Sequence, residues 1–235
     1  MQRFHYFYSQ NFFAGIESRK DVFMELAQRH LFKKNCTIFL ENDAGDSCFY
    51  VASGLVRIFR ATASGKESIL FIHRPGSMFG LAEVITASPR MVNAQALSPA
   101  IIYSIDSKKF NELLEKDYIL AGRVISVLGW RLRQLGEQVS TLMNCNVMSR
   151  LVRLLIYFAS EATPKAARRN TESYPPVCLS QSQIAAMVGS TQPTISGLLQ
   201  QLQKEGLISV SRMQICILNP VALQYKAETL PQDTL

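Results

Sequence analysis

The chain of 235 residues has no uninterrupted apolar stretch of about 18 residues, the length that a membrane-spanning helix requires. Its N-terminus is rich in aromatic residues but is interrupted by polar ones and has no small-residue cleavage motif. We therefore expect neither a secretory signal nor a membrane partner, and a cytoplasmic location. Five scattered cysteines form no CxxC pair, which argues against a zinc site, an iron–sulfur cluster or a disulfide framework.

Sequence patterns typical of enzymes are missing too. We find no paired carboxylates, nucleophile elbow, phosphate-binding loop or metal-ligand cluster, so we expect no catalytic residues, no metal and no enzyme activity. Charge is moderate, with 25 Lys and Arg against 18 Asp and Glu and a net charge of +7. This balance is compatible with a polyanionic partner, but no basic block dominates either half of the chain.

The most informative segment that is present reads as two short helices joined by a turn, between residues 179 and 202. Ser180 with Gln183 three positions later is a capping-box signature for the first helix. Gly189 suits the turn, where a positive φ is needed, and Thr191 is a favourable N-cap for the second helix. This arrangement is typical of the helix-turn-helix that places its second helix in the major groove of DNA.

The outer face of this unit supplies the predicted DNA contacts. Two short strands, 208–210 and 215–218, follow around a turn at Arg212, so we expect the unit to be winged. An αα-hairpin of another helical domain is the alternative, because the same spacing suits any tight helix pair. The predicted DNA-contacting residues are Ser180, Gln181, Thr191, Gln192, Pro193, Thr194, Ser196, Gly197, Gln200 and Arg212.

Residues 36–106 contain six short segments rich in β-branched and aromatic residues, separated by turn signals. Such spacing predicts an all-β barrel or jelly roll, an architecture that can enclose one small ligand. A helix is predicted over residues 14–31, before this region. A second short helix is predicted to begin at Ser107, capped by that residue's own hydroxyl.

A long helix is predicted from about Asp117 to Asn144, and its apolar residues recur in alternating steps of four and three. This heptad seam favours a parallel homodimer, although a helix lying on the barrel is the alternative. Asn146 is predicted to cap the next helix, residues 147–161, and to mark a hinge. The predicted dimerisation residues are Ile125, Leu128, Leu132, Leu135, Val139 and Leu142, with Ala121 extending the seam.

A β-barrel, a long dimerising helix and a C-terminal winged helix-turn-helix, in that order, resemble the CRP/FNR family of bacterial transcription regulators. The most specific matching pieces are IFLENDAGDSCFYVASGLVRIF, RPGSMFG and the helix-turn-helix itself. The resemblance implies an α+β fold with a cyclic-nucleotide-binding-like jelly roll, a homodimer, a palindromic promoter site and contact with RNA polymerase. It divides the chain into a sensing domain (1–116), a dimerisation helix and hinge (117–146), a DNA-binding domain (147–222) and a tail (223–235).

The predicted effector site departs from the family pattern. Members that bind cyclic AMP carry Glu directly after the Gly of the RPGSMFG-like segment and an Arg-Ser pair further on. Here Leu81 follows Gly80, and Met91 follows Arg90, so we expect a small effector other than cyclic AMP. Arg90 suits an anionic group of that effector. The predicted effector-binding residues are Gly80, Leu81, Ala82, Arg90, Met91, Val127 and Leu128.

Other sensing modes of the family find less support in this sequence. Iron–sulfur members carry an N-terminal cysteine cluster, whereas the first cysteine here is Cys36. Haem-based gas sensors use a His on the segment after the same Gly, and that segment here is LAEV, leaving His5, His30 and His73 elsewhere. We predict no cofactor, with haem as an alternative. A barrel that is filled by its own side chains and senses nothing is the remaining possibility.

The predicted DNA-reading face also departs from the family's sequence pattern. Where the family commonly has E-x-x-S-R, this chain has Pro193, Ser196 and Gly197, so the Arg that reads guanine is missing. We expect Gln192 or Gln200 to read adenine and Pro193 to contact a thymine methyl group. A sensor or interaction protein that has lost sequence-specific DNA binding is the alternative function. Phosphate contacts are expected from Arg212, Lys204 and the pair Arg168–Arg169.

Overall fold

The computed structural model describes residues 11–63, 65–162, 174–211 and 214–229. The chain divides into two compact units, and the division falls between Gln134 and Leu135, inside a long helix. The first unit contains the predicted barrel, and the second contains the predicted helix-turn-helix.

The first unit is built on two four-stranded sheets with the strand orders β1-β8-β3-β6 and β2-β7-β4-β5. All the strand pairs are antiparallel, as expected for the predicted jelly roll. Its elements are α1 (Glu17–Leu26), β1 (Gln28–Phe32), β2 (Thr37–Phe39), β3 (Ser47–Ser53), β4 (Val56–Ala61), β5 (Glu67–His73), β6 (Met78–Phe79), α2 (Leu81–Thr86), β7 (Asn93–Ala96), β8 (Ala100–Asp106) and α3 (Ser107–Lys116).

The helix predicted over residues 14–31 is partly wrong. Helix α1 ends at Leu26, and Gln28–Phe32 forms β1, which pairs with β8 from Gln28 opposite Ser104 to Phe32 opposite Ala100. This partner lies far along the chain, so no local pattern reveals the strand.

The predicted cap of α3 is wrong by one residue. The carboxylate of Asp106, rather than the Ser107 hydroxyl, accepts hydrogen bonds from the backbone N–H groups of Lys108 at 2.9 Å and Lys109 at 3.4 Å. The helix begins at Ser107, so Asp106 holds the N-cap position, where its charge also faces the positive end of the helix dipole.

Aromatic rings from both sheets fill the barrel interior. Phe49 and Phe79 stack with their centroids 5.0 Å apart, and Phe39 lies against both at 5.7 and 6.1 Å. His73 stacks on Phe79 at 5.3 Å. These side chains are buried, and such ring contacts add to the free energy that their burial contributes. The centre of the barrel is therefore occupied by the protein's own rings.

A second apolar cluster joins the flanking helices to the outside of the β3–β8 sheet. It combines rings of the N-terminal segment and of α1, β3 and α3 with the first half of the long helix α4 (Tyr118–Asn144). Asp117 caps α4, because its carboxylate accepts from the N–H groups of Ile119 and Leu120 at 3.0 and 3.2 Å. The principal members are Phe12, Phe13, Phe23, Tyr50, Phe110, Leu120, Val124 and Val127.

Helix α4 carries two apolar faces. Leu120, Val124 and Val127 are buried in the cluster just described. The predicted seam lies on another face, where Ile125 is 71% exposed and Leu132 is 72% exposed. Val139 and Leu142 are at least half exposed, and Leu128 and Leu135 are partly buried. Apart from Leu128, which packs against the same cluster, the seam is thus distinct from the stripe that packs on the barrel.

The second unit contains five helices and a two-stranded hairpin in its described part, including the end of α4. The further elements are α5 (Val147–Ala162), α6 (Gln181–Val188), α7 (Gln192–Lys204), β9 (Ile208–Ser211), β10 (Gln214–Ile217) and α8 (Pro220–Thr229). Val177 extends the hairpin by a bridge to Ile215. The region predicted as a tail from residue 223 begins inside α8, which packs on α5 and buries Leu223.

The buried imidazole of His73 should make the stability of the first unit depend on pH. Burial and the charge of Arg131 lower the pKa of His73 well below 6.5, so the folded protein holds a neutral ring. Below pH 6.5 the unfolded chain takes up a proton that the folded chain does not, and the free energy of unfolding should fall by up to about 1.4 kcal/mol per pH unit.

The variant His73→Phe keeps a ring in the stack and removes the titrating group. Urea unfolding between about pH 7.5 and pH 5.5 should show a shallower loss of stability for the variant than for the wild type. Identical pH profiles for the two proteins would show that His73 is protonated equally in both states.

Candidate DNA-binding surface and effector site

The helix-turn-helix begins with the predicted capping box. The Ser180 hydroxyl accepts from the N–H of Gln183 at 3.2 Å, and the Gln183 side chain accepts from the N–H of Ser180 at 2.9 Å. Gly189 ends α6 with φ of +66°, and the Thr191 hydroxyl accepts from the N–H of Thr194 at 3.4 Å. The local signals for both helices are confirmed, because each depends only on neighbouring residues.

Apolar contacts between the two helices decide which face of α7 is exposed. Ile184 and Val188 of α6 are fully buried, as are Ile195, Leu199 and Leu202 of α7. The opposite face of α7 is turned to solvent: Gln192, Pro193, Thr194, Gly197 and Gln200 are exposed, and Ser196 is half-buried. This exposed face is the one that the sequence assigns to base edges.

The start of α6 and the start of α7 lie side by side. The Ser182 hydroxyl donates to the Gln192 side-chain oxygen at 3.0 Å, which holds that amide in place. Ser180, Gln181, Ser182 and Gln192 line a cavity of about 180 Å³. This volume is below the roughly 300 Å³ of small-molecule pockets, so the cavity is a recess of the surface rather than a ligand chamber. Of the predicted DNA-contacting residues, Ser180, Gln181 and Gln192 line this recess.

The exposed face of α7 is polar and uncharged up to Lys204 at its end. A Cβ at Gly197 would meet nothing within 4 Å, so the position is open and not a packing requirement. The predicted phosphate contacts at Arg212 and Arg168–Arg169 lie outside the described residues.

The predicted effector residues separate into buried and exposed groups. Leu81 is fully buried in the cluster that contains Val127, and Leu128 packs against that cluster. Met91, by contrast, is 66% exposed, and Ala82 is exposed. The seven predicted effector-binding residues therefore do not line one common binding site.

Arg90 is 2% exposed and already has partners within the chain. Its guanidinium lies 3.5 Å from the Glu83 carboxylate, donates to the Gly80 carbonyl at 3.4 Å and to the Ser47 carbonyl, and stacks over the Phe39 ring at 4.4 Å. Burial lowers the pKa of Arg90, and the Glu83 charge opposes that shift. The expected anion beside Arg90 is thus supplied by the chain itself.

Gly80 is required by this arrangement. Its φ is +71°, and a Cβ there would lie 2.8 Å from an Arg90 nitrogen and 3.2 Å from the Ser47 carbonyl oxygen. Any other residue would displace the Arg90 side chain.

Sequence reasoning missed Glu83, Ser47 and Arg131 as members of this site. Arg131 of α4 donates to the Met78 carbonyl and is partly buried. Burial lowers its pKa to about 10, and Glu83 opposes that shift. A signal existed, because residue 131 continues the buried α4 stripe of residues 120, 124 and 127 by one further step of four. Two guanidinium groups therefore lie near one carboxylate.

The remaining candidate ligands are engaged elsewhere. The His30 ring bonds to the Ser104 hydroxyl at 2.8 Å, and His73 lies in the ring stack of the barrel. His5 is outside the described residues. In the described ranges, no group of three or more His, Cys, Asp or Glu side chains is arranged to hold a metal. Within the same ranges, none of the helices is both long and apolar enough to cross a bilayer.

Asn146 caps α5 as predicted. Its side-chain oxygen accepts from the N–H of Ser149 at 2.9 Å, and its carbonyl accepts from the N–H of Arg150 at 3.1 Å. The capping role is confirmed, whereas the hinge role stays a prediction.

Both halves of the chain match known domain families. Residues 29–117 match the cyclic nucleotide-binding domain family, and residues 149–225 match the Crp-like helix-turn-helix domain family. A global nitrogen regulator from Synechococcus elongatus is 28% identical over 221 residues, covering 89% of this chain and 97% of that protein. A CRP-like cAMP-activated global transcriptional regulator from Mycobacterium tuberculosis is 25% identical, covering 83% of this chain and 86% of that protein.

The fold has close counterparts among solved structures. The c-di-GMP-responsive global regulator CLP from Xanthomonas campestris superposes with a TM-score of 0.75 at 20% identity, over 86% of this chain and 98% of that one. Barrel, long helix and winged helix-turn-helix occur here in the family order, and the matched domains are those of the family. The chain therefore belongs to the CRP/FNR family of transcription regulators.

Proposed function

We propose that this regulator acts as a homodimer that binds palindromic promoter DNA and is switched by a small anionic effector bound in the barrel. The observation that carries the proposal is the uncovered apolar seam of α4 in a chain whose helix-turn-helix presents an exposed polar face. Two copies joined along the seam would present two recognition helices to successive major grooves, roughly 34 Å apart. Contact with RNA polymerase follows from the family resemblance.

The seam supports a dimer on physical grounds. Exposed apolar side chains recurring along a whole helix face are unusual for a monomer, because their burial is favourable. Met143, 79% exposed, extends the same apolar surface at the end of α4. The spacing of four and three residues is that of parallel coiled coils.

Leu132→Lys should weaken the dimer. The residue is 72% exposed in a single chain, so the substitution should spare the fold of each copy. In the dimer it would place two like charges in an apolar seam, raising the dissociation constant by at least about tenfold. Sedimentation velocity measures this change. Val221→Lys, at an 80% exposed apolar residue of α8, is the matched control and should leave the dimer intact.

An unchanged dimer in Leu132→Lys would show that the seam faces solvent or another partner.

Sequence-specific DNA binding is supported by the side-chain amides of α7. Gln192 is held by Ser182, and Gln200 is exposed about two helical turns further along the same face. Amides read adenine, and the exposed Pro193 ring suits a thymine methyl group. We therefore propose an operator richer in A·T pairs than one read by arginine. Cations at the edge of the unit, such as Lys204, add contacts to phosphates.

Selection from random duplexes, followed by gel shift, tests this assignment. Gln192→Ala should cost about 1–3 kcal/mol on the selected site and relax the preference at one base pair in each half-site. Lys204→Gln is the contrasting variant. It should weaken binding on all sequences alike and lower the salt slope by about 1 per lysine removed, or about 2 for the dimer.

Weak binding that is the same on every sequence would instead support a sensor or interaction protein without specific DNA recognition.

The proposed effector site is centred on Arg90. One relative is named for activation by cAMP and one structural counterpart for its response to c-di-GMP, so the fold does not determine the ligand. In this chain Leu81 is buried in apolar surroundings, which removes an acceptor for ribose hydroxyls. An anionic effector would have to replace Glu83 as the partner of Arg90. The Arg90–Glu83 pair and the phenylalanine stack equally suit the alternative of a barrel that senses nothing.

Cyclic AMP at about 1 mM should leave the melting temperature unchanged. A ligand with a dissociation constant near 10 µM would add about 2.7 kcal/mol at that concentration, which is easily measured. Native mass spectrometry of the purified protein should detect a retained small anion. The anion should be absent from Arg90→Lys, because lysine keeps the charge but cannot donate two parallel hydrogen bonds to an anion as a planar guanidinium does. Stabilisation by cyclic AMP would contradict the assignment. If the purified wild-type protein carries no bound anion, the result would support the alternative of a barrel that senses nothing.

A further inference from the structure

Arg150 of α5 joins the ends of two other helices. The side chain is 8% exposed. Its Nε donates to the Val188 carbonyl at 2.8 Å, and one terminal nitrogen donates to the Cys145 carbonyl at 2.7 Å and, at the long distance of 3.5 Å, to the Leu142 carbonyl. Val188 is the last residue of α6, and α4 ends at Asn144. One guanidinium thus spans the C-terminal ends of α4 and α6.

These acceptors explain why a buried cation is stable here. The last carbonyls of a helix have no partner within the helix, and they carry the negative end of its dipole. A guanidinium offers several N–H donors in a rigid plane, so it can bond to carbonyls in different directions at once. A lysine has one compact ammonium group and cannot span the same acceptors.

A second contact supports the same connection. At the turn of the helix-turn-helix, a Cβ on Gly189 would lie 3.2 Å from a methyl carbon of Leu142. The last turn of α4 therefore touches the turn between α6 and α7. Asn146, the predicted hinge, lies between α4 and α5 and accepts from the backbone N–H of Arg150. The Arg150 side chain therefore bonds across the connection between α4 and α5 that contains Asn146.

We propose that Arg150 is a positioning residue that sets the orientation of the recognition helix α7 relative to the end of α4. Helix α6 transmits this constraint, because α6 and α7 share the buried core of Ile184, Val188 and Ile195. The inference rests on the proposed dimer bound to a palindrome. In such a dimer, the orientation of α7 on the end of α4 sets the distance and rotation between the two recognition helices.

The preferred spacing of the two half-sites is the property to measure. Each base pair inserted between them changes their separation by about 3.4 Å and rotates one about the duplex axis. The wild type, Arg150→Gln and Arg150→Lys are compared on a duplex selected by the wild type from a random library. The same duplex is tested with one or two base pairs added to or removed from the spacer. Arg133→Gln, an exposed arginine of α4, controls for loss of charge.

Wild type and Arg133→Gln should lose at least about tenfold in affinity when the spacer changes by two base pairs. For Arg150→Gln the loss should be within about threefold, because each recognition helix can reorient on its own. Arg150→Lys keeps the charge and most of the stem, so it preserves folding while also broadening the spacing preference. Melting temperature and sedimentation identify the folded, dimeric fraction of each protein.

Two results would overturn the inference. In one, both Arg150 variants keep the sharp spacing preference of the wild type. In the other, affinity falls equally at every spacing and in proportion to the unfolded fraction, which would assign Arg150 to folding alone. Failure of the wild type to select any palindrome is a different outcome, since it contradicts the proposed function and not the role of Arg150 in particular.

Discussion

Helix α4 has two apolar faces to bury, and a single copy of the chain covers only one of them. The stripe of Leu120, Val124 and Val127 is buried in a cluster with aromatic rings of the first unit. The stripe that includes Ile125 and Leu132 is exposed. Because exposed apolar surface is unfavourable in water, this stripe supports the proposed homodimer, on which the proposed mode of DNA binding depends.

The barrel belongs to the matched domain family, and its interior is filled by its own side chains. Leu81 supplies apolar packing next to Gly80, and Arg90 is neutralised by Glu83 and stacked on Phe39. Buried charges need a nearby partner, so an entering anion must compete with a carboxylate that is already in place. This competition, rather than an empty chamber, would determine the affinity and selectivity of the proposed effector site.

The DNA-reading face combines a rigid scaffold with few charges. The buried residues of α6 and α7 hold the exposed face of α7 in a defined orientation, and Ser182 holds the amide of Gln192. Amides and methyl contacts discriminate bases but contribute little long-range attraction, so the affinity of such a surface depends strongly on its position over the groove. Arg150 is well placed to provide that position, because it ties α6 to the end of α4.

Features that depend on neighbours in the chain were predictable from the sequence. They include the Ser180–Gln183 capping box, the turn at Gly189, the Asn146 cap, the long helix α4 and most barrel strands, because each rests on spacing within a few residues. Only the tertiary structure decided that Gln28–Phe32 is a strand paired with β8, that Glu83 neutralises Arg90, and that Arg150 reaches Val188. Some of these contacts join residues that are distant in the sequence and meet only in the folded chain. Others involve a side chain with several candidate partners, and local periodicity does not indicate which partner it contacts.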